Sequence, residues 1–350
     1  MIISGIQQVG IGVTSLKEAW RWYRDNFGMD VRVFDEAAPA NYMLPYTGGK
    51  PCERHAALTV NMMGGGGFEI WQYTDREPQP PKFDIQMGDL GIFSAKIKSP
   101  DVDKAYEKFQ KMGLTINGVS LDPAGRKQFF MKDPYGNIFQ VIEADIWYKF
   151  DSKKLTGAAY GVLIGCTDIK KSMTLYSDIL GYDEVVYDET KVWDDLATIP
   201  GGTNKIRRVL LRHTKQRKGF FSALFGPTEI ELVKAEDRTP INIYKERFWG
   251  DLGFIHLCYD INGMDELQAK CEAKGFPFTV DSQSETGATN AFDMGEAAGH
   301  FSYVEDPDGT LIEFVETHKI PVSKKLGWYL KLDKRKDKEK PVASWMMSLM

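Results

Sequence analysis

At 350 residues the chain can bury two substantial cores, and its composition is that of an ordinary soluble globular protein. A formal net charge of −5 supplies no basic face for nucleic acid, and no apolar run approaches the ~18 residues of a membrane helix. Cys52, Cys166, Cys258 and Cys271 form no CxxC pair or disulfide spacing, and the first residues lack the basic-then-apolar pattern of a secretion signal, so a reducing, cytoplasmic setting is expected.

The first predicted strand begins at once and includes Gln8-Val9-Gly10-Ile11-Gly12-Val13. A helix follows over 15–27, with an apolar stripe of Leu16, Ala19, Trp20, Tyr23 and Phe27 at 3.6-residue spacing, and closes at Gly28. The extended strap Glu77-Pro78-Gln79-Pro80-Pro81 leads to a second unit, with a helix over 101–112 closed by Gly113. The turn Asp133-Pro134-Tyr135-Gly136 introduces a β-rich run from Asn137 to Ile142. After the polar connector 150–154 comes a third helix, 168–180, striped by Ile169, Met173, Tyr176 and Leu180 and closed by Gly181. A hairpin from Thr214 to Pro227 carries Phe220, Phe221 and Phe225, which either pack on a neighbouring unit or form a lid over a pocket. The fourth helix, 262–274, closes at Gly275, and the turn Asp306-Pro307-Asp308-Gly309 precedes the strand Thr310 to Val315. From Lys324 a tail holds the charged stretch Asp333 to Lys340 and the apolar end Trp345-Met346-Met347, which either docks back or stays unattached.

The chain echoes itself. Gly88-Asp89-Leu90-Gly91-Ile92-Phe93 returns 162 residues on as Gly250-Asp251-Leu252-Gly253-Phe254-Ile255, and Glu69-Ile70 returns at the same spacing as Glu231-Leu232. Two echoes at one spacing indicate a tandem duplication, with a first half at 1–148 (units about 1–78 and 88–146), a second at 155–318 (units about 157–237 and 250–318), and a tail at 319–350. Each unit reads as a strand, a helix and a small group of strands.

This order, with the stretches Trp22-Tyr23-Arg24-Asp25-Asn26-Phe27-Gly28, Leu175-Tyr176-Ser177-Asp178-Ile179-Leu180-Gly181, Ile255-His256-Leu257-Cys258-Tyr259 and Gly309-Thr310-Leu311-Ile312-Glu313-Phe314, resembles the vicinal oxygen chelate superfamily over about residues 5–318. That group includes glyoxalase I, methylmalonyl-CoA epimerase, extradiol dioxygenases and bleomycin-resistance proteins. The resemblance implies an α+β fold of two domains, each a pair of βαβββ units forming an incomplete barrel. It also implies that each unit offers two inward positions, one early in its first strand and one in its last. These are Gln8 and Glu69, Ser94 and Gln140, Gly161 and Glu231, and His256 and Glu313.

Two pairings are open. If units pair within halves, Gln8, Glu69, Ser94 and Gln140 share one barrel, and Glu231 joins His256 and Glu313 in the other. If the first unit pairs with the fourth, the set is Gln8, Glu69, His256 and Glu313, resembling that of metal-dependent glyoxalase I, while Ser94, Gln140, Gly161 and Glu231 line an empty second crevice. The second pairing is favoured because it gathers the good ligands in one place. Two facing carboxylates are costly to desolvate unless a cation neutralises them, and with an imidazole and an amide oxygen they suit a divalent ion of the Zn, Ni, Co, Mn or Fe group. The competing expectation is that Glu69 and Glu313 pair with Arg207, Arg208 or Arg212.

The leading expectation is therefore a metal-dependent isomerase or lyase of the glyoxalase kind. It would act on a small molecule with vicinal oxygens through a metal-stabilised enediolate, with Glu313 as base and Glu69 reprotonating. Alternatives are an extradiol-type Fe(II) dioxygenase, and a metal-free binder of the bleomycin-resistance type whose pocket draws on Trp71, Tyr73, Phe139, Trp193 and Phe301. A small-molecule substrate is expected, with no nucleic-acid or membrane partner, on a monomer or homodimer.

Overall fold

The computed structural model describes residues 1–283, 292–293, 298–323 and 328–343. The first unit comprises β1 (Ile2–Gly12), α1 (Leu16–Phe27), β2 (Val31–Pro39), β3 (Glu53–Val60) and β4 (Gly67–Tyr73). The second has β5 (Gly91–Ser99), α2 (Val102–Lys111), β6 (Ser120–Leu121), β7 (Lys127–Lys132) and β8 (Ile138–Glu143). The third has β9 (Ala159–Gly165), α3 (Ile169–Met173), β10 (Glu184–Lys191), β11 (Ile206–Arg212), α4 (Ser222–Phe225) and β12 (Glu229–Ala235). The fourth has β13 (Gly253–Asn262), α5 (Met264–Ala273), β14 (Val280–Asp281), β15 (Phe292–Asp293), β16 (Ala298–Glu305) and β17 (Leu311–Ser323), followed by β18 (Trp328–Lys331).

The helices start and stop for local reasons. The Ser15 and Asp101 side chains accept from the Glu18 and Lys104 amides at the N-termini of α1 and α2, and Gly28 closes α1 at φ 65°. At α5 the cap comes from across the unit, where the Glu316 carboxylate accepts from the Gly263 and Met264 amides. The third helix departs from the expected regular run. It is α-helical only to Met173 and widens into a π-turn over Thr174–Ile179, which buries the adjacent Leu175 and Tyr176 together and lets the Tyr176 hydroxyl reach Asp306 at 2.9 Å.

The strands form two curled sheets. One runs β14-β16-β17-β13-β1-β4-β3-β2 and the other β10-β11-β12-β9-β5-β8-β7-β6. The first strands of units one and four lie antiparallel at the centre of one sheet, and those of units two and three at the centre of the other. Each sheet thus takes one unit from each half, and neither follows the sequence halves 1–148 and 155–318. The halves hold together through their helices. The Tyr23 hydroxyl on α1 donates to Asp133 in the turn of the second unit at 2.7 Å, as Tyr176 does to Asp306. One apolar core between helices and sheets includes residues of all four units, among them Tyr23, Phe68, Phe139, Tyr176, Leu257 and Phe314.

The phenylalanine-bearing hairpin packs on neighbouring segments. Phe220 and Phe225 are buried, a Cβ on Gly5 of β1 would lie 2.8 Å from Phe225, and Phe220 clusters with Ile320, Leu332 and Val342 of the C-terminal arm. The Val342 amide donates to the Phe220 carbonyl at 2.9 Å. The charged stretch from Asp333 is exposed apart from half-buried Arg335. The apolar end Trp345-Met346-Met347 lies outside the described residues. Among the described residues no helix is long and apolar enough to cross a membrane.

Candidate metal centre

Four adjacent strands build the centre. On β1, Gln8 stands opposite Cys258 and Gly10 opposite His256 of β13. On the other side of β1, Gly10 is in register with Glu69 of β4, while beyond β13 Cys258 is in register with Glu313 of β17. The curl of the sheet turns these positions toward one another. One donor atom each from Glu69, His256 and Glu313 lies within 4.8 Å of the others.

The His256 Nε2 lies 3.1 Å from a carboxylate oxygen of Glu69 and 3.1 Å from one of Glu313. The Gln8 Nε2 donates to the same Glu69 oxygen at 3.1 Å and to Glu313 at 3.3 Å. Gln8, His256 and Glu313 are buried, and the Glu69 side chain keeps 14 % exposure. Gly10 makes room for the imidazole, since a Cβ there would lie 2.4 Å from the His256 ring.

The electrostatics leave a place for a cation. None of the three candidate arginines reaches these carboxylates: Arg207 binds Asp188, Arg208 binds Asp195 and Glu231, and Arg212 binds Glu229. Burial works against a charged His256, but Glu313 and Glu69 overcome it and carry the imidazolium up to about 9. The Gln8 Oε1 is buried without a partner, and neither His256 nitrogen makes an aligned hydrogen bond. Turning the Gln8 amide over would place Oε1 against the carboxylates, an orientation that only a positive charge between them makes favourable. Two carboxylates, one imidazole and one amide oxygen therefore fit a divalent ion better than they fit one another.

An aromatic wall stands beside this cluster. The Trp249 ring lies nearly parallel to the His256 ring, with centroids 6.0 Å apart, and Tyr303 meets the same imidazole edge-on at 5.7 Å. Trp71 packs against Trp249 at 4.7 Å. Burial and the neighbouring Glu313 and Glu69 carboxylates push the Tyr303 hydroxyl well above its ordinary range. Of these residues, sequence reasoning found Trp71 and missed Trp249 and Tyr303. The available signal was the place of Trp249 directly before the Gly250-Asp251 echo.

The second barrel corrects one expectation. Ser94, Gln140, Gly161 and Glu231 do sit together in the other sheet, but the crevice is filled, not empty. The Lys96 ammonium lies 2.6 Å from Glu229 and 2.7 Å from Glu231, all three side chains being fully buried. Arg208 binds Glu231 at 2.6 Å and Asp195 at 2.7 Å, and Arg126 and Arg212 bind Glu229. Despite burial, Lys96 and Arg126 hold Glu229 down at about 2, and Arg208 and Lys96 hold Glu231 well below the carboxylate range. Gln140 donates to Gln128, which donates to Asp195. Glu231 is therefore not a neighbour of His256 and drops out as an alternative ligand. Gly161 faces Glu229 across the ladder, where a Cβ would lie 2.0 Å from the Glu229 carbonyl.

The family model for the Glyoxalase/Bleomycin resistance protein/Dioxygenase superfamily matches residues 5–141 and 161–314. A search of curated protein sequences returned no match. Among solved structures, a mutant of glyoxalase I from Zea mays is similar at a TM-score of 0.54 and 14% identity, covering 89% of this chain and 93% of that one. A putative dioxygenase from Bacillus subtilis subsp. subtilis str. 168 is similar at a TM-score of 0.55 and 14% identity, covering 90% of this chain and 86% of that one. At such identities the likeness is one of fold.

Proposed function

This chain belongs to the Glyoxalase/Bleomycin resistance protein/Dioxygenase superfamily, and on that premise we propose that it is a divalent-metal-dependent enzyme of isomerase or lyase type. The observation that supports the reading is the convergence of Gln8, Glu69, His256 and Glu313 from four neighbouring strands, with no lysine or arginine among the described residues neutralising the carboxylates. The four residues would hold an ion of the Zn, Ni, Co, Mn or Fe group. When bound, the ion would supply Lewis acidity that stabilises, by several kcal/mol, the negative charge of an enediolate on a substrate with vicinal oxygens.

The protein's own groups account for the rest. Glu313, buried beside Tyr303, is the base that takes the proton next to the substrate carbonyl. Glu69, on the more open side, takes up a proton from solvent and returns it to the neighbouring carbon, and Glu313 then releases the proton it took, which resets both carboxylates. The aromatic wall of Trp71, Trp249 and Tyr303 keeps water from the charged intermediate. A single histidine with two glutamates departs from the two-histidine, one-carboxylate pattern of Fe(II) oxygenases, which ranks ring cleavage second.

Elemental analysis of untagged protein is the test. Stoichiometric Ni, Co, Zn or Mn is the expected result, with Glu69→Gln or Glu313→Gln weakening retention about tenfold or more. Stoichiometric iron would move the reading to oxygenation. A protein that takes up no divalent ion after exposure to each would be a metal-free ligand binder, and the proposal would fall.

A further inference from the structure

The indole nitrogen of Trp249 is a hydrogen-bond donor with nothing to donate to. Trp249 is buried, at 7 % exposure, and its Nε1 has no partner. A buried unpaired donor is destabilising and calls for a reason, and a bound group that accepts from it is one. By contrast, the indole of Trp193, in the second barrel, donates to the Ile206 carbonyl at 2.8 Å.

The residue is held firmly while its donor stays free. The Trp249 amide donates to the Tyr46 carbonyl at 3.0 Å, and the Tyr73 hydroxyl donates to the Trp249 carbonyl. Trp71 and Tyr303 press on the ring from the sides, with centroids 4.7 and 6.3 Å away, and the ring stacks beside His256. A second orphan sits in the same cluster, the Gln8 Oε1. At the corresponding position of the second barrel, 162 residues earlier, the chain has Met87, which carries no N–H. At this one position, the barrel with the candidate ligands carries an indole N–H and the barrel that neutralises itself with Lys96 carries an apolar side chain.

We infer that the Trp249 indole N–H donates a hydrogen bond to an anionic oxygen of the small molecule bound beside Gln8, Glu69, His256 and Glu313. This rests on the proposed metal centre and adds what that reading lacks, a neutral donor on a ring held beside His256. A neutral N–H keeps its proton at every working pH, so it favours the oxyanion without competing for the proton that Glu313 moves. The ligand class it selects is an oxygen anion with a second oxygen on the adjacent carbon, as in an α-hydroxy carboxylate or an enediolate.

Glycolate is a suitable probe, because it offers two vicinal oxygens and needs no turnover. Protein labelled with nitrogen-15 at its eight tryptophans and loaded with zinc is titrated with glycolate, and the indole of Trp249 is assigned through its contacts with Tyr303 and His256 ring protons. The Trp249 indole proton should move downfield more than any other indole proton. Trp249→Phe keeps a ring beside His256 and should weaken glycolate about tenfold while zinc affinity stays within about twofold. Trp193→Phe, in the other barrel, should leave glycolate binding unchanged. A Trp249 signal that stays still while glycolate binds overturns the inference. So does a Trp249→Phe protein that loses zinc and glycolate affinity equally, which would mark the ring as a support for His256 alone. Failure of the wild-type protein to take up zinc or any other divalent ion is a different result: it removes the metal centre itself, and the inference with it.

Discussion

At the scale of single residues, His256 is closed to solvent and governed by the two carboxylates beside it. Without an ion, its imidazolium is held between two carboxylates at about 9, against an ordinary 6.5. A folded value above the unfolded one means that the protonated form favours the native state. That contribution is complete below about 6.5 and disappears as the pH rises through about 9. Chelator-treated protein should therefore lose stability between these two values, and His256→Gln should flatten the slope. Urea midpoints measured across that range check it; parallel slopes for both proteins would show that His256 is not the titrating group. An ion must displace this proton, so metal affinity should fall as the pH drops through the same window. The candidate ligand positions were legible in the sequence because the resemblance implies an inward position early in each unit's first strand and another in its last, and the closing glycines of the four helices set the units in register to find Glu69, His256 and Glu313. The Trp249 side chain was not, because it lies in the irregular segment before β13, where no periodicity says which way a ring turns.

At the scale of elements, β5 explains why the two barrels diverge. Lys96 stands opposite Gly161, as Cys258 stands opposite Gln8 in the first barrel. One lysine on the inward row thus supplies the positive charge that the first barrel would take from an ion. This filling was illegible from the sequence, because it needs Glu229, Asp195 and Arg126 to arrive from three distant segments, and an isolated strand lysine reads as solvent-facing. The chemistry of the cluster yields a stability prediction. Lys96→Met leaves Glu229 and Glu231 buried together with one counter-charge removed, which should cost about 3–5 kcal/mol. Metal retention should not change, since the four candidate ligands belong to the other sheet. Thermal unfolding and elemental analysis of the same sample read both quantities. A wild-type midpoint would mean that Arg126, Arg208 and Arg212 already neutralise the pair.

At the scale of the molecule, the duplication was readable from two echoes, but the direction of pairing was not, since each unit carries the same kind of inward strand. The structure crosses the halves: helix-to-turn ties such as Tyr23 to Asp133 stay within a half, whereas β1 with β13 and β5 with β9 join one half to the other. Gln8 and Glu69 consequently come from the first half, and His256 and Glu313 from the second. All four cysteines are free, so no disulfide would tether the halves if the chain were cut. Cleavage in the polar connector between Ser152 and Lys153 separates the ligand pairs cleanly. Fragments 1–152 and 153–350, produced apart, each lack the strands that should flank their own first strands, and each carries two of the four candidate ligands. Each should bind zinc at least about a hundredfold more weakly than the intact chain, since each missing ligand is worth roughly tenfold. Mixing them should restore a one-to-one complex, because the unpaired edges of β1 and β13, and of β5 and β9, are complementary in register. Competition against a zinc-binding dye, run on each fragment and on the mixture, gives the result. If either fragment alone holds zinc as tightly as the full chain, the site does not depend on both halves and the assignment of Gln8 and Glu69 alongside His256 and Glu313 is wrong.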